Sequence, residues 1–107
     1  YVTGWQEDIH DPHNWAQPYL TGNLGIYQNK PVELENQFRD LVNAGVAASD
    51  PAERAVFYEE MNQLVYESAP FIILAVPTGR QYEQRWVNGW YYNPLYANHY
   101  YYPLSKN

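Results

Sequence analysis

The sequence of 107 residues contains no cysteine, only six basic side chains and no long apolar run. Without cysteine the chain forms no disulfide and has no thiolate for catalysis or metal binding. Twelve acidic against six basic residues give a net charge of −6, which repels a phosphate backbone and argues against a nucleic-acid partner. The longest apolar run, residues 71–76, is far shorter than the roughly 18 residues that a membrane-spanning helix needs.

The common catalytic motifs are also missing from the sequence. There is no glycine-rich phosphate loop and no nucleophile elbow. Adjacent carboxylates occur at residues 7–8 and 59–60, but neighbouring side chains on a strand or a helix point apart. We therefore expect a protein that is not an enzyme and that uses no cofactor.

Aromatic residues are abundant, with 12 Tyr, 4 Trp and 3 Phe making up 18% of the chain. Tyrosine and tryptophan combine an apolar ring with a polar group, which suits binding surfaces as well as cores. Rings near the C-terminus could stack on a sugar, as in a free-standing carbohydrate-binding module: Trp86, Trp90, Tyr91 and Tyr92. Packing at the edge of a core explains the same rings equally well.

Helical spacing of apolar residues predicts a helix over residues 32–48, in which Gly45 weakens the C-terminal end. A second helix is predicted to follow at once, because Asp50 can cap it and Pro51 fits its first position. One face of this second helix is apolar and carries Phe57, Met61, Leu64, Val65 and Ser68. Pro70 is expected to end it.

The remaining segments are predicted from local composition. Residues 1–6 favour a short strand, and residues 13–20 favour a helical turn interrupted by Pro18. Residues 21–31 predict a loop, and the apolar run 71–77 predicts a fully buried strand. Beyond a polar surface segment, Asn-Gly at 88–89 and Asn-Pro at 93–94 predict turns in the aromatic tail. Because the chain begins at Tyr1 within a predicted strand, we expect it to be part of something longer.

The stretch "GWQEDIHDP", residues 4–12, gathers three carboxylates and a histidine beside Trp5. Three interpretations of Asp8 are open: a solvated turn, an anchor for a cationic ligand, or a metal ligand. A metal site could draw on four side chains, namely Asp8, His10, Asp11 and His13. Pro12 interrupts that cluster and no further ligand follows at the usual spacing, so we expect no metal, and composition alone favours the solvated turn.

Three ordered motifs give the chain a family resemblance. "GWQEDIHDPHNW" is similar to a Gly-Trp-x-x-Asp-x-x-Asp-Pro-x-Asn-aromatic segment, and "SDPAERAVFYEEMNQLVYESAPFIIL" to an Asp-Pro-x-x-Arg helix that ends in Ala-Pro before an apolar strand. "VNGWYYNPL" resembles a Val-x-Gly-aromatic-x-x-(Asn/Asp)-Pro-Leu terminus. Together they resemble the C-terminal portion of the extracellular solute-binding proteins of ABC transporters, in the dipeptide-, oligopeptide- and nickel-binding family.

The resemblance implies an α+β chain that is the C-terminal fragment of a two-lobed type II periplasmic-binding-protein fold. Two main helices would pack on a few strands. Residues 1–76 would be part of the second ligand-binding lobe, and residues 77–107 would form a C-terminal tail that returns toward the first lobe.

The implied function is capture of peptides between the lobes and their delivery to the ABC permease subunits, outside the cytoplasm. A membrane anchor would lie in an N-terminal part outside these residues. In peptide-binding members, the aspartate three positions after the tryptophan receives the ammonium group of the ligand, which here is Asp8. Trp5, Gln6 and Gly4 would line the ligand. A nickel chelate or a sugar is the alternative ligand within the family.

Overall fold

The computed structural model describes residues 2–76, 78–93 and 100–106. In chain order, its regular elements are α1 (His13–Leu20), a 3₁₀ helix (Gly25–Gln28), α2 (Val32–Ala47), α3 (Pro51–Ser68), β1 (Val87–Asn88) and β2 (Ser105–Lys106). The chain divides into two compact units, Tyr1–Ile72 and Ile73–Asn107. Each unit is described by itself below.

Helix α2 matches the segment that apolar spacing predicts. Glu33 and Glu35 lie in its first turn, where negative charge interacts favourably with the helix dipole. The inward face carries Phe38 and Val42, which are buried. Gly45 lies within the last turn and is also buried. The glycine therefore allows close packing there in addition to weakening the end of the helix.

Helix α3 begins as its sequence predicts. The Asp50 carboxylate accepts hydrogen bonds from the backbone N–H groups of Ala52 and Glu53, both at 2.9 Å. Such a cap stabilises a helix by about 1 kcal/mol. The helix ends at Ser68, where Ala69 takes a left-handed conformation with φ of 44° immediately before Pro70.

The core of the first unit lies where the three α-helices meet. Phe38 and Val42 from α2 pack with Met61 from α3 and Leu20 from α1, and all four side chains are buried. Removing an apolar side chain of this size from water contributes roughly 1.5–3 kcal/mol. The predicted apolar face of α3 is confirmed, since Phe57, Leu64 and Val65 pack against this core as partly buried residues.

Helix α1 is longer than the interrupted turn that the sequence predicts. It runs for eight residues with Pro18 inside it. Proline lacks the N–H that would bond four residues back, so the helix loses one bond near its C-terminal end. Pro18 is buried, so its ring contributes to the packing of the first unit.

The strands predicted at residues 1–6 and 71–77 are both wrong for this structure. Among described residues 2–6 no strand forms, and residues 71–76 are likewise not a strand. Ile72, Ile73, Leu74 and Val76 are between 73% and 87% exposed instead of buried, while Pro77 lies outside the described residues. A strand needs a neighbouring strand to satisfy its backbone groups, and the described chain supplies none to either segment.

The predicted fold class therefore needs correction in its details. Helices and strands both occur among the described residues, but α1, α2 and α3 pack on one another and not on a sheet. Within residues 2–76, 78–93 and 100–106, the strands form a single pair of two residues each.

In the second unit, β1 and β2 pair antiparallel, with Val87 opposite Lys106 and Asn88 opposite Ser105. Gly89 follows β1 with φ of 91°, and a side chain there would collide with the carbonyl oxygen of Pro103. This position therefore requires glycine. Of the predicted Asn-Pro turn at 93–94, Pro94 lies outside the described residues.

No helix in the described part of the chain combines the length and the apolar character needed to cross a membrane.

Candidate functional site

The segment that holds the predicted site residues borders a cavity of about 280 Å³ in the first unit. The cavity is lined by Trp5, Asp8, His13, Asn14, Gln17, Pro18 and Asn23. Four of these residues lie on α1 at positions 13, 14, 17 and 18, whose spacing brings them to one helix face. The segment before α1 and one face of α1 thus form walls of the cavity.

Asn14 joins the two walls. Its side-chain oxygen accepts a hydrogen bond from the Trp5 indole Nε1–H at 3.3 Å and another from the backbone N–H of Asp8 at 2.9 Å. Because both partners are donors, only the oxygen of the amide can face them, which fixes the orientation of the group. One carboxamide therefore sets the positions of Trp5 and Asp8 relative to α1.

Glu7 lies between His10 and Trp15 and bonds to both. One carboxylate oxygen is 2.8 Å from His10 Nδ1, and the other accepts from the Trp15 indole at 2.7 Å. The side chain of Glu7 is only 12% exposed, against 87% for His10. The bond with His10, followed by that with Trp15, lowers the pKa of Glu7, and Glu7 in turn raises the pKa of His10.

Asp11 is occupied by Arg54 of α3. Arg54 Nη1 and Nη2 donate to the two carboxylate oxygens at 2.7 and 2.6 Å, across 43 positions in the sequence. These hydrogen bonds, with a smaller contribution from the backbone N–H of His13, lower the pKa of Asp11 to about 2 although partial burial opposes the shift. The pKa of the Arg54 guanidinium is raised, first of all by Asp11. Asp11 therefore has a structural role, because it links the segment before α1 to α3.

The predicted site residues separate into two pairs. Trp5 and Asp8 line the cavity, whereas Gly4 and Gln6 are exposed and are not among its lining residues. Asp8 is exposed, and its carboxylate has no hydrogen-bond or ion-pair partner among the described residues. It is thus the acidic side chain of this segment that is available to a ligand.

The histidines and carboxylates of this segment are not arranged as a metal-binding cluster in the described part of the chain. Among the described residues, no group of three or more histidine, cysteine, aspartate or glutamate side chains could hold a metal ion. The geometry explains this result, since His10 bonds to Glu7 and Asp11 bonds to Arg54.

The aromatic residues considered for sugar stacking lie in the second unit. Lys106 Nζ lies 4.9 Å from the centre of the Trp86 ring, so one face of that ring is occupied by a cation. Tyr91 packs edge-on against Tyr100, with ring centres 6.4 Å apart. Tyr92 is largely exposed. Sugar binding stays a hypothesis.

The sequence did not lead us to predict that α1 forms one wall of the cavity. Asn14 belongs to the first resemblance motif, but its role depends on a contact with Trp5 that lies nine positions away. A signal was present, because His13 with Gln17 and Asn14 with Pro18 follow the i, i+4 spacing of one helix face. Interpreting residues 13–20 as an interrupted turn concealed that spacing.

Comparison with curated proteins gives two relatives. Over 100 residues the chain is 34% identical to Di/tripeptide-binding protein 4 of Pseudomonas aeruginosa, and over 79 residues it is 30% identical to Heme-binding protein A of Haemophilus influenzae. The chain is similar to one segment of each of two larger binding proteins. The matches cover 92% and 73% of this chain but only 19% and 14% of the respective relatives. No family model matches the chain, and no solved structure matches it.

Proposed function

We propose that this chain is the C-terminal part of the substrate-binding component of an ABC importer, which captures di- or oligopeptides between two lobes and delivers them to the membrane permease. Its similarity to a protein named for di- and tripeptide binding, over 92% of the chain, supports the peptide class. Residues 1–76 would contribute to the second lobe and residues 77–107 would return toward the first. An extracytoplasmic location, with a membrane anchor in another part of a longer polypeptide, belongs to the same proposal.

The availability of the Asp8 carboxylate carries this proposal. Of the three acidic residues in the segment, Glu7 bonds to His10 and Trp15, and Asp11 bonds to Arg54. Asp8 borders the cavity with its carboxylate unpaired among the described residues, while its backbone N–H is fixed by Asn14. An unpaired carboxylate at a cavity, on a backbone position that is anchored by Asn14, is suited to bind a cationic group.

A peptide ammonium group matches this carboxylate chemically. A hydrogen bond between an ammonium and a carboxylate is charge-assisted, and such bonds contribute about 1.5–3 kcal/mol. Trp5 would add an apolar wall whose indole face attracts a cation. No heavy atom lies within 4 Å of the position that a Cβ on Gly4 would take, which leaves room for a ligand there. Under this proposal Gly4 and Gln6 would line the bound peptide.

The cavity is slightly smaller than a complete small-molecule site. A complete small-molecule site usually encloses about 300–1,000 Å³. The cavity of about 280 Å³ is large enough for the end of a peptide. The opposite wall would come from the other lobe, whose closure removes water and strengthens the ion pair.

The proposal is tested by titration calorimetry with the longer polypeptide that contains these residues. Asp8→Asn keeps the size and hydrogen-bonding capacity of the side chain but removes its charge. We expect the variant to lose most of its affinity for a free-amine dipeptide and little of its affinity for the N-acetylated form. Truncating one partner of an enclosed charge pair typically costs about 2–5 kcal/mol, whereas a surface pair contributes at most about 1 kcal/mol.

Asp40→Asn is the matched control, because Asp40 is an exposed carboxylate on α2 remote in sequence from the site. It should bind both peptides like the wild type. Equal losses for the two peptides in Asp8→Asn would contradict the amine-anchor role. Parallel titrations with haem, a nickel chelate and an oligosaccharide test the other ligand classes, and tight binding of one of these without peptide binding would overturn the peptide proposal.

A further inference from the structure

Arg54 uses all three nitrogens of its guanidinium to connect separate parts of the first unit. Nη1 and Nη2 donate to the two Asp11 oxygens, and Nε donates to the carbonyl oxygen of Gly45 at 2.9 Å. Nη2 also lies 3.1 Å from the Tyr58 hydroxyl, and the guanidinium carbon lies 5.1 Å from the centre of the Tyr58 ring. The group is thereby fixed in orientation on α3 and at the end of α2.

Asp11 transmits this fixed position to the start of α1. Its Oδ1 accepts from the backbone N–H of His13 at 2.8 Å, and its carbonyl oxygen accepts from the backbone N–H of Asn14 at 3.0 Å. The N–H groups of the first helical turn have no partner within the helix, so a preceding side chain that accepts from one of them sets where the helix begins.

The first turn of α1 carries Asn14, whose side chain holds Trp5 and Asp8. Arg54 is therefore connected to the cavity by consecutive hydrogen bonds. Arg54 bonds to Asp11, the Asp11 carbonyl oxygen bonds to the Asn14 N–H, and the Asn14 side chain bonds to Trp5 and Asp8. Hydrogen bonds are directional, so this series of bonds fixes orientation as well as distance.

We propose that Arg54 is a positioning residue for the cavity. Through its two-pronged bond to Asp11 it sets the start of α1 and thus the Asn14 carboxamide that orients Trp5 and Asp8. Its consequence for ligand binding rests on the proposed function. The core contacts of α2 and α3, made by Phe38, Val42 and Met61, do not pass through this path, so the two effects can be separated.

Arginine is required for this role because its planar fork matches both carboxylate oxygens, whereas lysine offers a single point of charge. Arg54→Lys should therefore loosen the cavity segment while leaving the α2–α3 pair folded. The matched control is Arg39→Lys, since Arg39 also pairs with a carboxylate, Glu35, at 2.7 Å, but on the exposed surface of α2.

The test is hydrogen exchange by nuclear magnetic resonance on the 107-residue chain, following the Trp5 indole N–H and the Asp8 backbone N–H. In Arg54→Lys both signals should move, and both protons should exchange several-fold faster, while amides in the middle of α2 and α3 keep their protection. Arg39→Lys should change none of these signals. Unchanged Trp5 and Asp8 signals in Arg54→Lys would overturn the proposal, and so would an equal loss of protection throughout the helices.

If Arg54→Lys prevents folding, the same exchange measurement on Asp11→Asn tests the proposal instead. This variant keeps an oxygen for the His13 N–H but loses the charged two-pronged bond. It should show the same selective loss at Trp5 and Asp8, and their unchanged exchange would overturn the proposal. The proposed function is tested separately by peptide titration, because a positive exchange result together with normal peptide binding in Asp8→Asn would reject the amine anchor and keep the positioning role.

Discussion

Gly45 of α2 lies directly against the ring of Tyr58 on α3. A methyl group built on Gly45 would be 3.2 Å from two ring carbons of Tyr58, closer than ordinary van der Waals contact. Arg54 lies over the face of the Tyr58 ring and bonds to its hydroxyl, so the ring cannot easily move away from Gly45. The absence of a side chain at Gly45 therefore allows the two helices to approach at this point.

We predict that Gly45→Ala destabilises the chain by up to about 2 kcal/mol. Alanine gains about 1 kcal/mol of helix propensity over glycine, but an extra methyl in a packed contact typically costs about 1–3 kcal/mol. Urea denaturation measures the difference. In a Tyr58→Ala background the crowding is relieved, so the same substitution should stabilise by up to about 1 kcal/mol. Stabilisation of equal size in both backgrounds would show that the contact is not restrictive.

We predict that Phe38→Ala is the more damaging of two phenylalanine truncations. Phe38 is 0% exposed at the centre of the core, and its loss should cost about 3–5 kcal/mol. Phe57→Ala should cost less, because that ring is only partly buried. Val56→Ala, an exposed residue on the same helix, should stay within about 0.5 kcal/mol of wild type. The reverse ranking of the two rings by chemical denaturation would contradict the packing described.

We predict that the Asp11–Arg54 pair weakens only in strong acid. The folded pKa of Asp11 is about 2, below its ordinary value of 3.8, so its contribution is complete above the ordinary value and disappears as the pH falls through the folded value. The stability difference between wild type and Asp11→Asn should therefore be constant near neutral pH, shrink between about pH 4 and pH 2, and vanish below. Thermal unfolding across this range measures it, with Asp40→Asn as the control. A difference that does not change with pH would contradict the charged pair.

We predict that the 107-residue chain alone binds peptides very weakly. Under the proposed function the cavity is one wall of a cleft, and water keeps access to Asp8, where an ammonium–carboxylate pair in contact with solvent contributes at most about 1 kcal/mol. Calorimetric titration of this chain and of the longer polypeptide with the same dipeptide compares the two directly. Micromolar binding by the 107 residues alone would contradict the prediction.

Local sequence signals were sufficient for the two long helices. The spacing of apolar residues in α2, and the Asp50 cap with Pro51 at the start of α3, act within a few residues and need no distant partner. The choice of Gly4, Trp5, Gln6 and Asp8 as a candidate site came from the family resemblance and stays a prediction, although Trp5 and Asp8 both line the cavity.

Tertiary structure alone decided which carboxylate of that segment is available and what became of the predicted strands. Asp11 is occupied because Arg54, 43 positions away, is brought beside it by the packing of α3. Residues 71–76 are apolar enough for a strand, yet they stay exposed in the described chain because a strand requires backbone hydrogen bonds from a neighbour. Composition within a segment sets its preference, whereas the partners of its backbone and charged groups come from distant residues, and only the folded chain brings those together.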